Sequence, residues 1–276
     1  MNENDPEESP TLDGIRITRF HAGDSYPDGD VVAREEPLEI RVNGQAVVYL
    51  MRLPGHDVPL AAGFCLSEGI ISGRSDIDLI RHCTEGDGPG EGERVGGLVE
   101  MTTAAAIGMD RFASARVIRT GCGGADLSKD VDLAGISVAV DTVFDPEVLL
   151  RMPDAMLQGQ DVFRRTGGTH GAGVFDTEGR LLVVMEDVGR HNAVDKALGY
   201  LLLSGESTAD KGLVLSGRLS YEMVLKTARA GIPLICSVSA PTSLGVQVGV
   251  ATGVTLVGFL RGAGFNVYSH PERVRA

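Results

Sequence analysis

Cys122 stands between Gly121 and the pair Gly123–Gly124, inside the stretch ARVIRTGCGGADLSKD, Ala115 to Asp130. A thiol on a glycine turn is either one of the few cysteines any chain carries or one placed to do chemistry. Glycines give the backbone clearance and freedom. A nearby cation such as Arg119, or a helix end, lowers the thiol pKa and makes the nucleophilic thiolate. The chemistry open to such a thiol is that of a nucleophilic thiolate. The other three cysteines, Cys65, Cys83 and Cys236, fall in apolar runs and read as packing residues. Cys83 beside His82 has no second ligand pair at metal-binding spacing.

A second set of reactive residues recurs in four loops of the C-terminal half. EDVGRHN carries Glu186, Asp187, Arg190 and His191. SGRLS carries Ser216, Gly217, Arg218 and Ser220. SAPTS carries Ser239, Thr242 and Ser243. FLRGAG is Phe259, Leu260, Arg261, Gly262, Ala263 and Gly264. Taken singly, an arginine after a strand caps a loop, and a serine or threonine before a helix is an N-cap. Taken together, four loops with three arginines and several hydroxyls describe a site for a phosphate or pyrophosphate. Arginine's fork matches phosphate oxygens, and helix N-termini offer unpaired N–H groups and partial positive charge. Asp187 is expected to orient His191; the alternative partner is Asp195, one turn on. His170, in RRTGGTHGAGVF, reads as a hydrogen-bonding histidine or as a partner for Cys122.

These residues need elements to hold them. Around the second set, apolar runs alternate with helical patterns: LLVVME before HNAVDKALGYLLL, GLVLSG before SYEMVLKTARAG, PLICSVS before PTSLGVQVGVAT, then TLVGFL. Unbroken apolar strands followed by helices predict a mainly parallel sheet covered on both faces, with all the loops on one edge. No G-x-G-x-x-G opens the first helix and no Walker loop is present. Phe144-Asp145-Pro146-Glu147 starts a helix that runs to TGG near Gly167, and THGAGVFDTEGRLLVVMED is a hairpin turning at Asp176–Gly179. The N-terminal half is β-rich. LEIRVNGQAVVYLM is a hairpin about Asn43–Gly44, PGHDVPLAAGFCLSEGI is a helix, and IDLIRHC and GGLVEMTT are strands around the polar loop TEGDGPGEGER.

The chain has 276 residues and is 43% hydrophobic, enough for one large or two modest cores. The net charge of −13 speaks against a nucleic-acid binder, which needs a basic contact face. No apolar run approaches a membrane span, and MNENDPEESPTLDG reads as a disordered lead-in rather than a signal peptide. Scattered cysteines fit a reducing, cytoplasmic setting. The expected organisation is a lead-in over 1–14, a β-rich domain over 15–130 ending in the Cys122 loop, and an α/β domain over 131–276, α+β overall.

At this point the sequence resembles a known family. EEPLEIRVNG, MRLPGHD, GFCLSEGII, TGGTHGAGVF, EDVGRHNAVDKALG, SGRLSYEMVLKTARAGIP, SAPTSLG and VGFLRGAGFNVYSHPERV, in order from Arg34 to Val274, look like the FdhD proteins, the formate dehydrogenase accessory sulfurtransferases. The resemblance implies a cytoplasmic sulfur carrier. A cysteine desulfurase loads it with a persulfide at Cys122, and the sulfur passes to the molybdenum (or tungsten) bis-guanine-dinucleotide cofactor before that cofactor enters formate dehydrogenase. The cofactor is bound as substrate, with GDP as a surrogate ligand, and Phe259–Gly264 matches the family's cofactor-binding segment. The resemblance also implies a homodimer and a cytidine-deaminase-like three-layer second domain. It does not import deaminase chemistry: His270-Pro271-Glu272 matches H-x-E alone, and the P-C-x-x-C is absent.

One departure stands out. Family members commonly carry C-x-x-C where this chain has Cys122-Gly123-Gly124-Ala125. One thiolate suffices to hold a persulfide, but a dithiol mechanism is put in doubt. The alternative reading is a chaperone that binds and delivers the guanylated cofactor without carrying sulfur.

Overall fold

The structure is a computed structural model that describes residues 9–83, 96–103, 116–118, 133, 135–138 and 141–275. It opens with β1 (Leu12–His21) and β2 (Asp24–Ala33), two ten-residue strands that, among the described residues, pair with each other alone. β1 therefore takes in Leu12, Asp13 and Gly14, the end of the stretch expected to be a lead-in.

The Asn43–Gly44 hairpin forms as expected between β3 (Glu36–Val42) and β4 (Gln45–Arg52). Asn43 and Gly44 have φ of 51° and 78°, the pair of positive angles a two-residue turn with the right twist needs. Helix α1 (Asp57–Ser67) follows, then β5 (Ile77–Cys83), β6 (Gly97–Thr103) and β7 (Arg116–Ile118). These strands make a five-stranded sheet ordered β5-β6-β3-β4-β7, with β3 parallel to β6 and β4 parallel to β7.

The second half begins with α2 (Pro146–Gln158). The Asp145 side chain accepts from the Glu147 N–H at its start. The single helix expected to reach TGG is instead two. α2 ends at Gly159, where a β-carbon would meet Val184 at 2.9 Å, and α3 (Asp161–Thr166) starts anew. The Glu186 carboxylate caps α3 by accepting from the N–H groups of Val162 and Phe163. Pro153 sits inside α2. Then come β8 (His170–Asp176), β9 (Leu181–Asp187), α4 (Arg190–Ser204), β10 (Lys211–Leu215), α5 (Tyr221–Arg229), β11 (Leu234–Ser237), α6 (Ser243–Thr252), β12 (Thr255–Arg261) and β13 (Gly264–Ser269).

The sheet is ordered β13-β12-β11-β10-β8-β9. It is mixed, not mainly parallel. β10, β11 and β12 are parallel neighbours, but β8 lies antiparallel between β10 and β9, and β13 is an antiparallel edge. The tight turn at Asp176–Gly179 forces β8 and β9 antiparallel and inserts β8 into the series. β9, β10, β11 and β12 still point the same way.

Alternate residues of the inner strands feed two cores, as the pleat requires. Leu213, Leu215, Ile235 and Leu256 join a cluster with α1, α4, α5 and the five-stranded sheet, including Leu38, Ile40, Leu60 and Leu198. Val214, Cys236 and Val257 join Phe144, Leu149 and Met152 under α2. One buried cluster thus spans both halves of the chain. No helix among the described residues is long and apolar enough to cross a membrane.

Candidate functional site

Because β9, β10, β11 and β12 run in one direction, their C-terminal ends share one edge of the six-stranded sheet, and α4, α5 and α6 all start there. The four loops are stitched together by backbone. Leu219 N–H donates to the Ala240 carbonyl (3.1 Å), Thr242 N–H to Leu219 (3.0 Å) and Phe259 N–H to Ser239 (3.0 Å). The Ser237 hydroxyl donates to the Gly217 carbonyl and accepts from the Ser239 N–H. The edge is therefore built as one surface. β8 contributes its first residue, His170, to the same edge.

Arg190, Arg218 and Arg261 supply the positive charge. Arg218 and Arg261 are exposed, and the Arg261 guanidinium lies 5.7 Å from the centre of the Phe259 ring. Phe259 is held at φ 53° beside a bulge in the β12–β13 pair, a costly conformation for an aromatic residue. Arg190 is half-buried, against Gly217, and its Nε has no hydrogen-bond partner. Ser220 Oγ and the Tyr221 hydroxyl are also buried without partners. These are the three such atoms among the described residues. Buried polar groups are nearly always paired, so the orphaned Arg190 Nε and Ser220 Oγ at this edge suit a polar ligand that completes the bonding; the Tyr221 hydroxyl belongs to the core cluster instead. Donors on an arginine and at a helix N-terminus fit an anion.

His170 and His191 sit within this charge. The Gly171 N–H donates to Ser216 Oγ (3.0 Å), and His170 Nδ1 hydrogen-bonds the same hydroxyl at 3.2 Å. Burial, then the charges of Arg190 and His191, push the His170 pKa down. His191 Nε2 donates to Glu222 Oε2 at 2.7 Å, and this bond holds the Glu222 carboxyl below its usual range. Glu222, on α5, escaped the sequence reading. Its signal was an acid in the first turn of the helix after SGRLS.

The expected Asp187–His191 pair does not form, and neither does Asp195–His191. Asp187 is fully buried and lies beneath the edge rather than on it. Its carboxylate pairs with Lys196 Nζ at 2.8 Å and accepts from the N–H groups of Leu53 and Gly189 and from Asn192 Nδ2. Burial pushes its pKa up, with Lys196 opposing. Asp187 therefore lies beneath this edge and does not line it as expected. Leu260 points into the α2 core, and the Thr242 hydroxyl is taken by the Gly245 N–H as the cap of α6. Ser239, Ser243, Gly262, Ala263 and Gly264 remain accessible at the edge.

The foundation beneath the edge reaches the other half of the chain. Asn192 Nδ2 donates to the Met51 carbonyl and Lys196 Nζ to the Leu53 carbonyl, both at 2.8 Å. Met51 belongs to β4, and β4 pairs with β7, whose Ile118 lies opposite Leu50. Cys122, Arg119 and Ala125 lie outside the described residues. Cys65, Cys83 and Cys236 are buried, and burial pushes the Cys65 and Cys236 thiols up, away from the thiolate.

Two other places bear no expected site residue. A cavity of 640 Å³ lined by Thr142, Asp145, Arg151, Thr177, Asp210 and Arg275, among others, lies at the opposite edge of the sheet. His270 and Glu272 bond to each other at 3.0 Å, and no cluster of three metal-ligating side chains occurs among the described residues.

Residues 33–275 match the FdhD/NarQ family. A sulfur carrier protein FdhD of Mycolicibacterium paratuberculosis is 42% identical over 270 residues, covering 94% of this chain and 97% of that protein. A protein of the same name from Thermoplasma acidophilum is 42% identical over 252 residues, covering 89% and 87%. Among solved structures, a putative formate dehydrogenase accessory protein from Desulfotalea psychrophila superimposes with a TM-score of 0.78 at 28% identity, covering 96% of this chain and all of that one.

Proposed function

The chain belongs to the FdhD/NarQ family, and from that premise we propose that it is a sulfur carrier serving formate dehydrogenase, a sulfurtransferase with Cys122 as the carrying residue. The Cys122 thiolate attacks the outer sulfur of a cysteine desulfurase persulfide. The sulfur–sulfur bond there breaks, the donor cysteine leaves as thiolate, and Cys122 holds the persulfide. The acceptor is the molybdenum or tungsten bis-guanine-dinucleotide cofactor, bound as substrate through its phosphates.

The observation that carries this reading is the edge itself: three arginines, three helix N-termini, and the orphaned buried Arg190 Nε and Ser220 Oγ, on one rim of an acidic protein. A large, multiply anionic ligand is what such a rim suits.

Mass spectrometry of the Cys122 peptide after incubation with a desulfurase and cysteine tests the carrier step. A gain of one sulfur, lost in Cys122→Ser while GDP binding persists, is the expected result. A Cys122→Ser protein that still acquires sulfur, losing it only when another cysteine is replaced, would refute the assignment. GDP binding to the intact chain without any sulfur on Cys122 would instead favour a chaperone.

A further inference from the structure

From Ala230 to Leu260 the chain carries no charged residue, although charged residues make up 23% of the whole. β11 and the first half of β12 are buried strands and have reason to be apolar. α6, at the surface, has that reason on one side only. Gly245, Val248, Gly249 and Thr252 form its inner face. A β-carbon at Gly245 would stand 2.5 Å from the Leu219 carbonyl oxygen, and one at Gly249 would stand 2.4 Å from Leu256 Cδ1. The two glycines thus seat the helix low on the body. Ser243, Leu244, Gln247, Val250 and Ala251 face outward, and all five are exposed, Leu244 at 42% and Val250 at 58%.

A surface helix ordinarily sets charged and polar residues on its outer face. One exposed leucine or valine by itself means nothing. Here the apolar face continues into the rim. The Phe259 N–H donates to the Ser239 carbonyl at 3.0 Å, and a β-carbon at Gly258 would stand 3.0 Å from Pro241 Cδ. The loop that enters α6 therefore lies against the exposed Phe259. From there the face runs to Leu244 and on to Val250, about 9 Å farther along the helix axis. Its two ends are polar. Arg261 stands beside Phe259 at one end. At the other, His270 Nε2 donates to the Val250 carbonyl at 3.2 Å and His270 Nδ1 bonds Glu272 at 3.0 Å. An apolar centre with a polar border is the anatomy of a protein–protein contact.

Resting on the sulfur-carrier reading above, we propose that this face seats the cofactor-free form of formate dehydrogenase, with the mouth of its empty cofactor cavity over the rim. The partner surface that fits is apolar and uncharged, and it borders a cavity that accepts a multiply anionic ligand. Placement argues for this occupant. α6 starts at the rim, so a protein resting on Leu244 and Val250 stands beside the four loops. The receiver of the cofactor has to stand there, whereas a second copy in that place would obstruct the loops through which the cofactor enters. Charge argues the same way. α6 contributes nothing to the net charge of −13, so contact here removes no ionised side chain of the helix from water.

Biolayer interferometry of the full chain against cofactor-free formate dehydrogenase tests the docking. Leu244→Glu and Val250→Glu each set a charge within the face and should weaken binding about tenfold or more, as for loss of a buried anchor. Val250→Leu should bind as the parent does. Val250→Glu should leave three other properties at the parental value: GDP affinity by calorimetry, sulfur gain on Cys122 by mass spectrometry, and sedimentation. A Val250→Glu protein that binds the enzyme as tightly as the parent overturns the proposal. So does altered sedimentation of that variant, which would assign the face to a second copy, and so does a parent chain that never binds the enzyme. If such a parent still gains sulfur on Cys122, the carrier reading outlives the docking face. If the chain binds through α6 but gains no sulfur, the docking stands and the carrier reading falls.

Discussion

Gly63 on α1 and Gly199 on α4 bring two helices into backbone contact. A β-carbon at Gly63 would stand 1.8 Å from the Asp195 carbonyl oxygen, and one at Gly199 would stand 1.8 Å from that of Pro59. The crossing joins the half that holds the five-stranded sheet to the half that holds the rim. Gly63→Ala or Gly199→Ala should force the helices apart and cost about 1–3 kcal/mol or more, the usual range for overpacking. Urea unfolding followed by far-ultraviolet circular dichroism measures it. A midpoint equal to the parent's would mean the helices separate freely.

Next to that crossing, Lys226 Nζ lies 2.8 Å from Asp195 Oδ2 and 2.7 Å from Ser67 Oγ, with both ionic side chains buried. Burial opposes the charge on Lys226, but the Asp195 and Glu68 carboxylates together outweigh it and raise the Lys226 pKa. Lys226→Met leaves a buried carboxylate alone and should cost about 3–5 kcal/mol, whereas the double variant with Asp195→Leu should recover much of that loss. Thermal unfolding of the two variants decides it. A single variant as stable as the parent would show that water already solvates Asp195.

The depressed His170 pKa has a sign that can be checked. Its unfolded value is about 6.5, and burial and Arg190 hold the folded value lower. Between the two, the unfolded chain binds a proton that the folded one refuses. The stabilisation is therefore full above about pH 6.5 and is lost as pH falls through the folded pKa. A phosphate at the rim should raise the His170 pKa, so GDP should bind more tightly as pH drops through it. Histidine resonances followed by NMR with and without GDP report both effects. An unchanged His170 titration on GDP binding would place the nucleotide elsewhere.

Arg190 should act through the geometry of its guanidinium and not by charge alone. Arg190→Lys keeps the charge but removes the buried Nε donor. GDP affinity should fall about tenfold, as for loss of a charge-assisted hydrogen bond. Arg218→Ala and Arg261→Ala should each weaken GDP by a similar factor. Calorimetry showing parental affinity in Arg190→Lys would mean that the orphaned Nε serves some other group.

The elements were largely legible because their signals are local. The Asn43–Gly44 turn, the Asp145–Pro146 helix start and the apolar strands each announce themselves within a few residues. The common direction of four strands, and so the shared edge, followed from strand–helix alternation. What was hidden depends on neighbours distant in the chain. Asp187 looks like a partner for His191 four residues on, yet Lys196 and the Leu53 N–H claim it. Glu222 reaches His191 across 31 residues. β8's place between β9 and β10 is a fact of pairing that no residue announces, and β13 lacks a continuous apolar run, since Asn266 and Tyr268 alternate with Phe265 and Val267.

The consecutive acids Glu186 and Asp187 show how much of the site depends on counting. A strand sends neighbouring side chains to opposite faces, so Glu186 goes down to cap α3 while Asp187 goes up to Lys196 on α4. A single residue inserted or deleted between Arg180 and Glu186 would exchange these two faces. Each acid would then arrive at the other's partner with a side chain one methylene too long or too short. Length polymorphism in this strand should therefore be far less tolerated than substitution, whereas the turn at Thr177–Gly179, outside the ladder, can vary in length without disturbing either carboxylate.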